Sequence, residues 1–292
     1  MTDENQLISL SQYYQRDDYA HPLYSTLVNS DLLYHYTSLE KFFAISASKT
    51  LRASAIRRVN DPTETEEFNR HGVRGAVAND QESRRRQFQQ TMRLRQIINE
   101  VRVQALVACF STDKVEACGF IRKGFAIPQM WAHYGQNHLG VCLVFSKSEL
   151  LNRMNIVYPA CIHREVTYDT QLVSGANISL DYEIATLLSD VDIRCKAVKA
   201  ASKMLWFNKD SGWAYEQEYR LIIPQITEQF IEISVDSILK GIVLGSQFPK
   251  TALQHIEPWR NSLSETQNAV TSMYWDRGVG TARLPYANLE GK

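Results

Sequence analysis

The stretch Trp213-Ala214-Tyr215-Glu216-Gln217-Glu218-Tyr219-Arg220-Leu221-Ile222-Ile223 decides how this chain reads. Two glutamates and an arginine sit inside an aromatic and aliphatic run, and the pattern predicts a strand. Successive side chains of a strand point to opposite faces. Glu216, Glu218, Arg220 and Ile222 are therefore expected on one face, and Gln217, Tyr219, Leu221 and Ile223 on the other. Two acids on one face of a buried strand are costly unless they are paired or functional. One outcome is a strand whose acids pair with Arg220 or a lysine. The other is a carboxylate held beside a sugar, where it hydrogen-bonds a hydroxyl and stabilises a developing cation.

Two further strands carry polar groups in apolar settings. Leu32 to Thr37 holds His35 between Tyr34 and Tyr36, followed by Thr37 and Ser38. A neutral imidazole can donate one hydrogen bond and accept another, which suits a ribose hydroxyl or an amide. The alternative is a structural histidine in an aromatic cluster. Ala105 to Ser111 is a buried strand closed by Ser111 and Thr112. Between these strands and the glutamates lies Met130-Trp131-Ala132-His133-Tyr134-Gly135, started by Pro128 at a favourable first-turn position. It is either a helix packed on the sheet or the wall of a pocket in which Tyr134 or His133 stacks on a planar ligand. His35, Ser111 and Glu218 are expected to meet in one cleft.

The connecting segments are less regular. Ser38 is a good N-cap for a helix from Leu39 to about Ala47, and Leu51 to Ala55 returns as a strand. Asn60-Asp61-Pro62 signals a loop, because a residue before proline is pushed out of the helical region. Thr63 to Arg70 reads as a short acidic helix and residues 71–81 as a connector. A helix from about Glu82 to Arg102 carries Arg84, Arg85, Arg86, Arg93, Arg95 and Arg102. Such a run is a solvated face, a contact for a nucleic-acid target, or a contact for a cofactor's pyrophosphate. Ile156 to Tyr168 reads as one or two strands, Leu180 to Phe207 as a long helix, Pro249 to Trp259 as a helix and Ala269 to Trp275 as a last strand. About eight short strands with interrupting helices imply an α+β fold. Residues 1–30 form an N-terminal extension, and 31–292 a single domain with a helical insertion at about 63–104.

Composition narrows the class. Of 292 residues, 44% are hydrophobic and 22% charged, ordinary values for a globular protein with a sizeable core. The formal net charge is zero, so no global field favours a polyanion. No basic-then-apolar leader and no membrane-length apolar run is present, and a cytoplasmic protein without membrane contact is expected. Cys109, Cys118, Cys142, Cys161 and Cys195 lack the paired spacing of a zinc site, and no metal is expected. Phosphate-loop, dinucleotide-fingerprint, zinc-protease and serine-hydrolase motifs are absent.

Together, His35-Tyr36-Thr37-Ser38, Asn60-Asp61-Pro62, Cys109-Phe110-Ser111, Met130 to Gly135, Gly140 to Phe145 and Trp213 to Ile222 resemble a bacterial family known as domain-of-unknown-function family 2971. The order His, Ser/Thr, Glu-x-Glu also resembles, more distantly, the ADP-ribosyltransferases that carry His on the first core strand and Glu on the last. That resemblance implies a split, curved antiparallel β core with flanking and inserted helices and NAD bound in the cleft. It implies catalytic roles for Glu218, Glu216 and His35. It implies NAD contacts from His35, Tyr36, Thr37, Ser111, Thr112 and Tyr134. The implied activity is transfer of ADP-ribose from NAD to a macromolecule, nucleic acid or protein. The implied setting is a toxin or phage-defence effector, with an antitoxin or regulatory protein as a further partner. The alternatives are an NAD glycohydrolase and a non-catalytic binding or sensor module on the same fold.

Overall fold

The computed structural model describes residues 31–64, 66, 67, 71–75, 80–115, 121–169, 178–224, 228–263, 270–276 and 279–283. The N-terminal extension and Cys118 lie outside the described residues. In chain order the strands are β1 (Leu32–Thr37), β2 (Thr50–Ala55), β3 (His71–Arg74), β4 (Leu106–Ser111), β5 (Lys114–Val115), β6 (Ile121–Arg122), β7 (Val141–Ser146) and β8 (Ile162–Glu165). They continue as β9 (Thr167–Asp169), β10 (Ile178–Asp181), β11 (Asn208–Asp210), β12 (Glu218–Ile223), β13 (Phe230–Ser234), β14 (Leu239–Leu244), β15 (Val270–Asp276) and β16 (Val279–Arg283). The α-helices are α1 (Leu39–Ser48), α2 (Gln81–Val103), α3 (Pro128–His133), α4 (Lys147–Val157), α5 (Tyr182–Leu187), α6 (Asp190–Trp206) and α7 (Glu257–Ser262).

Ten strands form one sheet in the order β13-β2-β4-β1-β7-β14-β15-β16, with β12 added beside β4 and β8 beside β12. The fold is mixed α/β and the sheet is mixed, because β14 and β15 run parallel while the other pairs are antiparallel. An all-antiparallel core is therefore corrected at that edge. The strand β4 organises the centre. One of its edges is fully paired with β12, from Glu218 opposite Ser111 to Ile223 opposite Leu106. Its other edge is shared: β2 pairs only at Leu106 and Val107, and β1 only at Ser111. Between those contacts, Ala108–Phe110 has no strand partner on that edge. The sheet splits there.

Three apolar clusters hold this frame. Leu33, Phe42, Phe110, Leu143, Phe145 and Leu221 pack on one face. On the other, α2 and α6 supply Ile97, Ile98, Val101, Leu205 and Trp206. Tyr34, Tyr36, Phe125, Ile127 and Trp131 form the third. Ser38 caps α1 as its sequence implies, accepting the Lys41 amide at 3.3 Å.

Several local expectations give way to tertiary context. The connector at 71–81 contains β3, paired parallel with β10, because Val73 buries against α2. Residues 156 and 157 end a helix rather than begin a strand. The long helix from Leu180 divides into α5 and α6 at Ser189, whose capping box with Asp192 starts a new helix. Glu216 does not lie on the strand: Ser211–Glu216 is a 3-10 helix started by the Asp210 side chain, and Gln217 is left-handed at φ 49°. That reversal lets Glu216 fold back beside Glu218.

Gly140 lies against β1, and a Cβ there would sit 2.1 Å from the Thr37 carbonyl. Backbone cannot yield cheaply, so Gly140→Ala should cost about 1–3 kcal/mol. A lower urea midpoint at unchanged slope is the expected result.

Candidate functional site

The split opens into a cavity of about 730 Å³, within the range of small-molecule sites. Val107–Ser111 form its floor, α1 and β2 one wall, and His133, Tyr134, Lys209, Glu216, Glu218 and Arg220 the other. Alternation alone puts His35 on the Leu143 and Phe110 face and Glu218 on the Ser111 and Tyr34 face. Both nevertheless line the cavity, because it passes through the sheet at the split.

His35 Nδ1 lies 2.9 Å from the Cys109 carbonyl, on the unpaired edge of β4. A carbonyl only accepts, so Nδ1 carries the proton and Nε2 is left as an acceptor. Burial, with Lys41 in the same sense, lowers the His35 pKa and favours the neutral ring. Ser111 is fully buried, and its hydroxyl has no hydrogen-bond partner although it lines the cavity. An orphaned buried hydroxyl costs free energy unless a ligand satisfies it.

The other expected contacts divide. Thr37 and Tyr134 line the cavity. Tyr36 contributes to the wall, but its hydroxyl donates to the Gly124 carbonyl at 2.7 Å and accepts the Ile127 amide at 3.3 Å. Thr112 is not among the lining residues: its amide and hydroxyl both donate to the Gln217 carbonyl, at 3.0 and 3.1 Å. It clips the left-handed turn that carries the glutamates.

The acids are paired, as the conservative reading of Glu216-Gln217-Glu218 has it. Arg220 Nε and Nη2 donate to the two Glu218 oxygens at 2.7 and 2.9 Å, a bidentate fork. Lys209 Nζ donates to Glu216 at 2.5 Å and reaches Glu218 at 3.4 Å. The Tyr134 hydroxyl donates to the other Glu216 oxygen at 2.7 Å. The backbone amide of Glu218 donates to the Tyr168 hydroxyl at 2.9 Å.

These surroundings drive the two carboxyls apart. Burial alone would raise Glu218, but Arg220 and Lys209 more than reverse it and hold the group at about 2. Glu216 is raised, by burial and by the charge of Glu218. Cys109 is pushed well up by burial and by Glu218, so its thiol is a poor nucleophile despite lining the cavity with His133.

Lys41, Arg52 and Arg58 also line the cavity, with Arg52 paired to Glu232 at 3.1 Å. None of these was singled out in the sequence, since they are separate surface-type residues joined only by the fold of α1 onto β2. Lys209 gave no signal for the same reason.

The basic helix α2 is employed elsewhere. Arg93 donates to Asp190 and to the Leu188 and Ala185 carbonyls, tying α2 to α5 and α6. Arg102 donates to the Thr63 and Glu66 carbonyls, and Arg86 pairs with Glu82. No residue of α2 lines the cavity, so the pyrophosphate role for this helix is withdrawn. Among the described residues no group of three or more His, Cys, Asp or Glu is arranged to hold a metal ion. Among the same residues no helix is long and apolar enough to cross a membrane.

Residues 130–221 match the family described as "Protein of unknown function (DUF2971)". The matched stretch runs from α3 to β12 and includes Tyr134, Lys209, Glu216, Glu218 and Arg220, whereas His35 and Ser111 lie outside it. No curated protein and no solved structure matches the chain significantly.

Two outcomes follow from the ion pairs. Arg220→Met leaves Glu218 and its neighbours without their buried cation and should destabilise by about 3–5 kcal/mol, read as a large drop in melting temperature. Glu218 has a depressed pKa, so its stabilisation is complete above 4.5 and disappears as pH falls toward 2. Acid unfolding of the wild type should steepen in that window.

Proposed function

We propose that this protein cleaves NAD at the bond between nicotinamide and ribose and transfers ADP-ribose to a macromolecular acceptor. The observation that carries the proposal is the set of groups that line one cavity: the Glu216 and Glu218 carboxyls paired with Lys209 and Arg220, the His35 ring, the partnerless Ser111 hydroxyl, and the cations Lys41 and Arg58. NAD offers groups to suit each. Its nicotinamide end is cationic and its pyrophosphate anionic. His35 Nε2 would accept from a ribose hydroxyl, and Ser111 would find its missing partner on the ligand.

The two acids suit different tasks, because environments that push paired carboxyls apart assign their roles. Glu218 stays ionised and supplies a fixed negative field for the cationic sugar. Glu216, with its raised pKa, takes the acceptor's proton. The ribose C1′ to nicotinamide nitrogen bond breaks with its electron pair leaving on nicotinamide. The acceptor's oxygen or nitrogen bonds C1′ and its proton passes to Glu216. Tyr134 and Lys209 hold that carboxylate in place. With water as acceptor the same steps hydrolyse NAD.

A second reading has its own observation: Arg220 and Lys209 already occupy the glutamate oxygens, as a non-catalytic module built only for stability would have them. One experiment separates the two. NAD labelled in its ADP-ribose half is incubated with the protein and a lysate. The enzyme reading expects label on nucleic acid or protein, or free ADP-ribose, and absence of any turnover establishes the module. Glu218→Gln should lower cleavage about 100- to 1,000-fold. It should also lower the melting temperature, because Arg220 is 1% exposed and loses half of a charged fork. Glu216→Gln should reduce transfer more than cleavage. Ser111→Ala should weaken NAD binding while stabilising the ligand-free protein by about 1 kcal/mol, because it removes a buried hydroxyl that has no partner.

A further inference from the structure

The Asn60-Asp61-Pro62-Thr63-Glu64 segment has no place in the cavity chemistry beyond Asn60 on its rim, yet it is one of the most tightly built turns in the molecule. Asp61 Oδ1 accepts from the Thr63 amide at 2.9 Å and from the Thr63 hydroxyl at 2.7 Å, which closes the 3-10 turn Pro62–Glu64. Arg102, from α2, fastens the turn through the Thr63 and Glu66 carbonyls. The product of this effort is a buried Glu64, 7% exposed, with Oε1 2.6 Å from Arg220 Nη1. The contact is off axis: neither Glu64 oxygen accepts an aligned hydrogen bond. The remaining Arg220 donors go to Glu218 and to the Trp206 carbonyl.

We infer that Glu64 is a positioning residue that sets the charge of the catalytic acids through Arg220, as the remote proton-holding member of a buried network. The network comprises Glu64, Glu216 and Glu218 against Lys209 and Arg220. Fully ionised, it carries one uncompensated negative charge in the protein interior, which is expensive. One proton relieves that cost, and geometry selects the group that takes it. Glu216 and Glu218 each accept on both oxygens, whereas Glu64 has the single Arg220 contact on Oε1 and no partner on Oε2. The charged and titratable groups facing Glu64 are Arg220 and Glu218 of β12, Lys209 of β11, Cys109 of β4, Arg102 of α2 and Asp61 of its own turn. Burial raises the Glu64 pKa and Arg220 only partly opposes it. When Glu64 ionises, its negative charge opposes ionisation of Glu216 and Glu218.

The sign of the stability effect follows. A carboxyl raised in the folded state binds more protons there than in the unfolded chain. Stability therefore falls as pH rises above the ordinary carboxyl value of 4.5 through the raised one. The test compares wild type, Glu64→Gln and Glu64→Asp by melting temperature from pH 4.5 to 8 and by the pH profile of NAD cleavage. The Glu64→Gln melting temperature should lose about 2–4 °C of the wild-type decline with pH. Its acid limb of cleavage should stay close to wild type, because glutamine reproduces the neutral carboxyl; a move of about one unit to lower pH, the effect of losing one nearby charge, would mean that Glu64 is the ionised member and overturns the inference. The plateau rate should stay within about threefold of wild type, a change too small for loss of a transition-state contact. Glu64→Asp keeps the charge and draws it back by one methylene. Its decline in melting temperature with pH should lie between those of wild type and Glu64→Gln, and that intermediate decline is the supporting result if Glu64→Gln does not fold. A folded Glu64→Gln that keeps the wild-type decline in melting temperature overturns the inference, as does a Glu64→Asp that alone folds and keeps the full wild-type decline. The inference rests on the proposed function only for the cleavage profile. A wild type that cleaves no NAD ends that function, while the melting comparison still decides Glu64.

Discussion

The interaction on which the rest depends is the buried fork between Arg220 and Glu218. Arg220 is 1% exposed in the middle of a strand and also reaches the Trp206 carbonyl and Glu64. A buried ion pair is weak evidence for stability, because desolvation can exceed the attraction between the charges. Here each partner has a geometric consequence. The fork fixes Glu218 at the end of β12, Lys209 ties Glu216 to it, and the Glu64 turn is drawn onto the same guanidinium. Four separate segments of chain meet at one charged centre.

The second constraint is the divided edge of β4. A strand edge without a partner leaves backbone groups to be satisfied. His35 supplies a donor to the Cys109 carbonyl at the gap. The split thus explains both the cavity and the state of the histidine. Pairing on β4 stops where β2 and β1 diverge, and the imidazole that fills the margin is locked in one tautomer by the carbonyl it reaches. The Gln217 reversal does the same for the acids. A continuous strand would have carried Glu216 to the next position along the sheet, whereas the left-handed residue returns it to Lys209 and Tyr134.

The cavity is lined by charges of both signs. Glu216, Glu218 and Glu64 share two buried cations, Lys209 and Arg220, which leaves at most one negative charge uncompensated. Lys41, Arg52 and Arg58 line the cavity from exposed positions, where screening by solvent is stronger and the charges steer and orient more than they bind.

Much of this was legible in the chain. The strand patterns around His35, Ser111 and Glu218 were evident because alternation and apolar runs are local properties, and the Ser38 cap and the Pro128 helix start are local chemistry. The division of roles between Ser111 and Thr112 was not, since neighbours on a strand end point to opposite sides and only the packed structure shows which side holds a cavity. Lys209, Glu64, Arg52 and Arg58 carried no local mark, because an isolated lysine, arginine or glutamate in a polar stretch is most often solvated. The sequence by itself determined the strands around His35, Ser111 and Arg220, the starts of the helices after Ser38 and at Pro128, and that acids and a histidine lie in apolar settings. Only the tertiary structure decided that β4 would be shared by two strands, that Glu64 and Glu218 would meet on Arg220, and that Arg93 and Arg102 of α2 would serve as ties. Those outcomes depend on contacts between residues far apart in the chain, which no local pattern encodes.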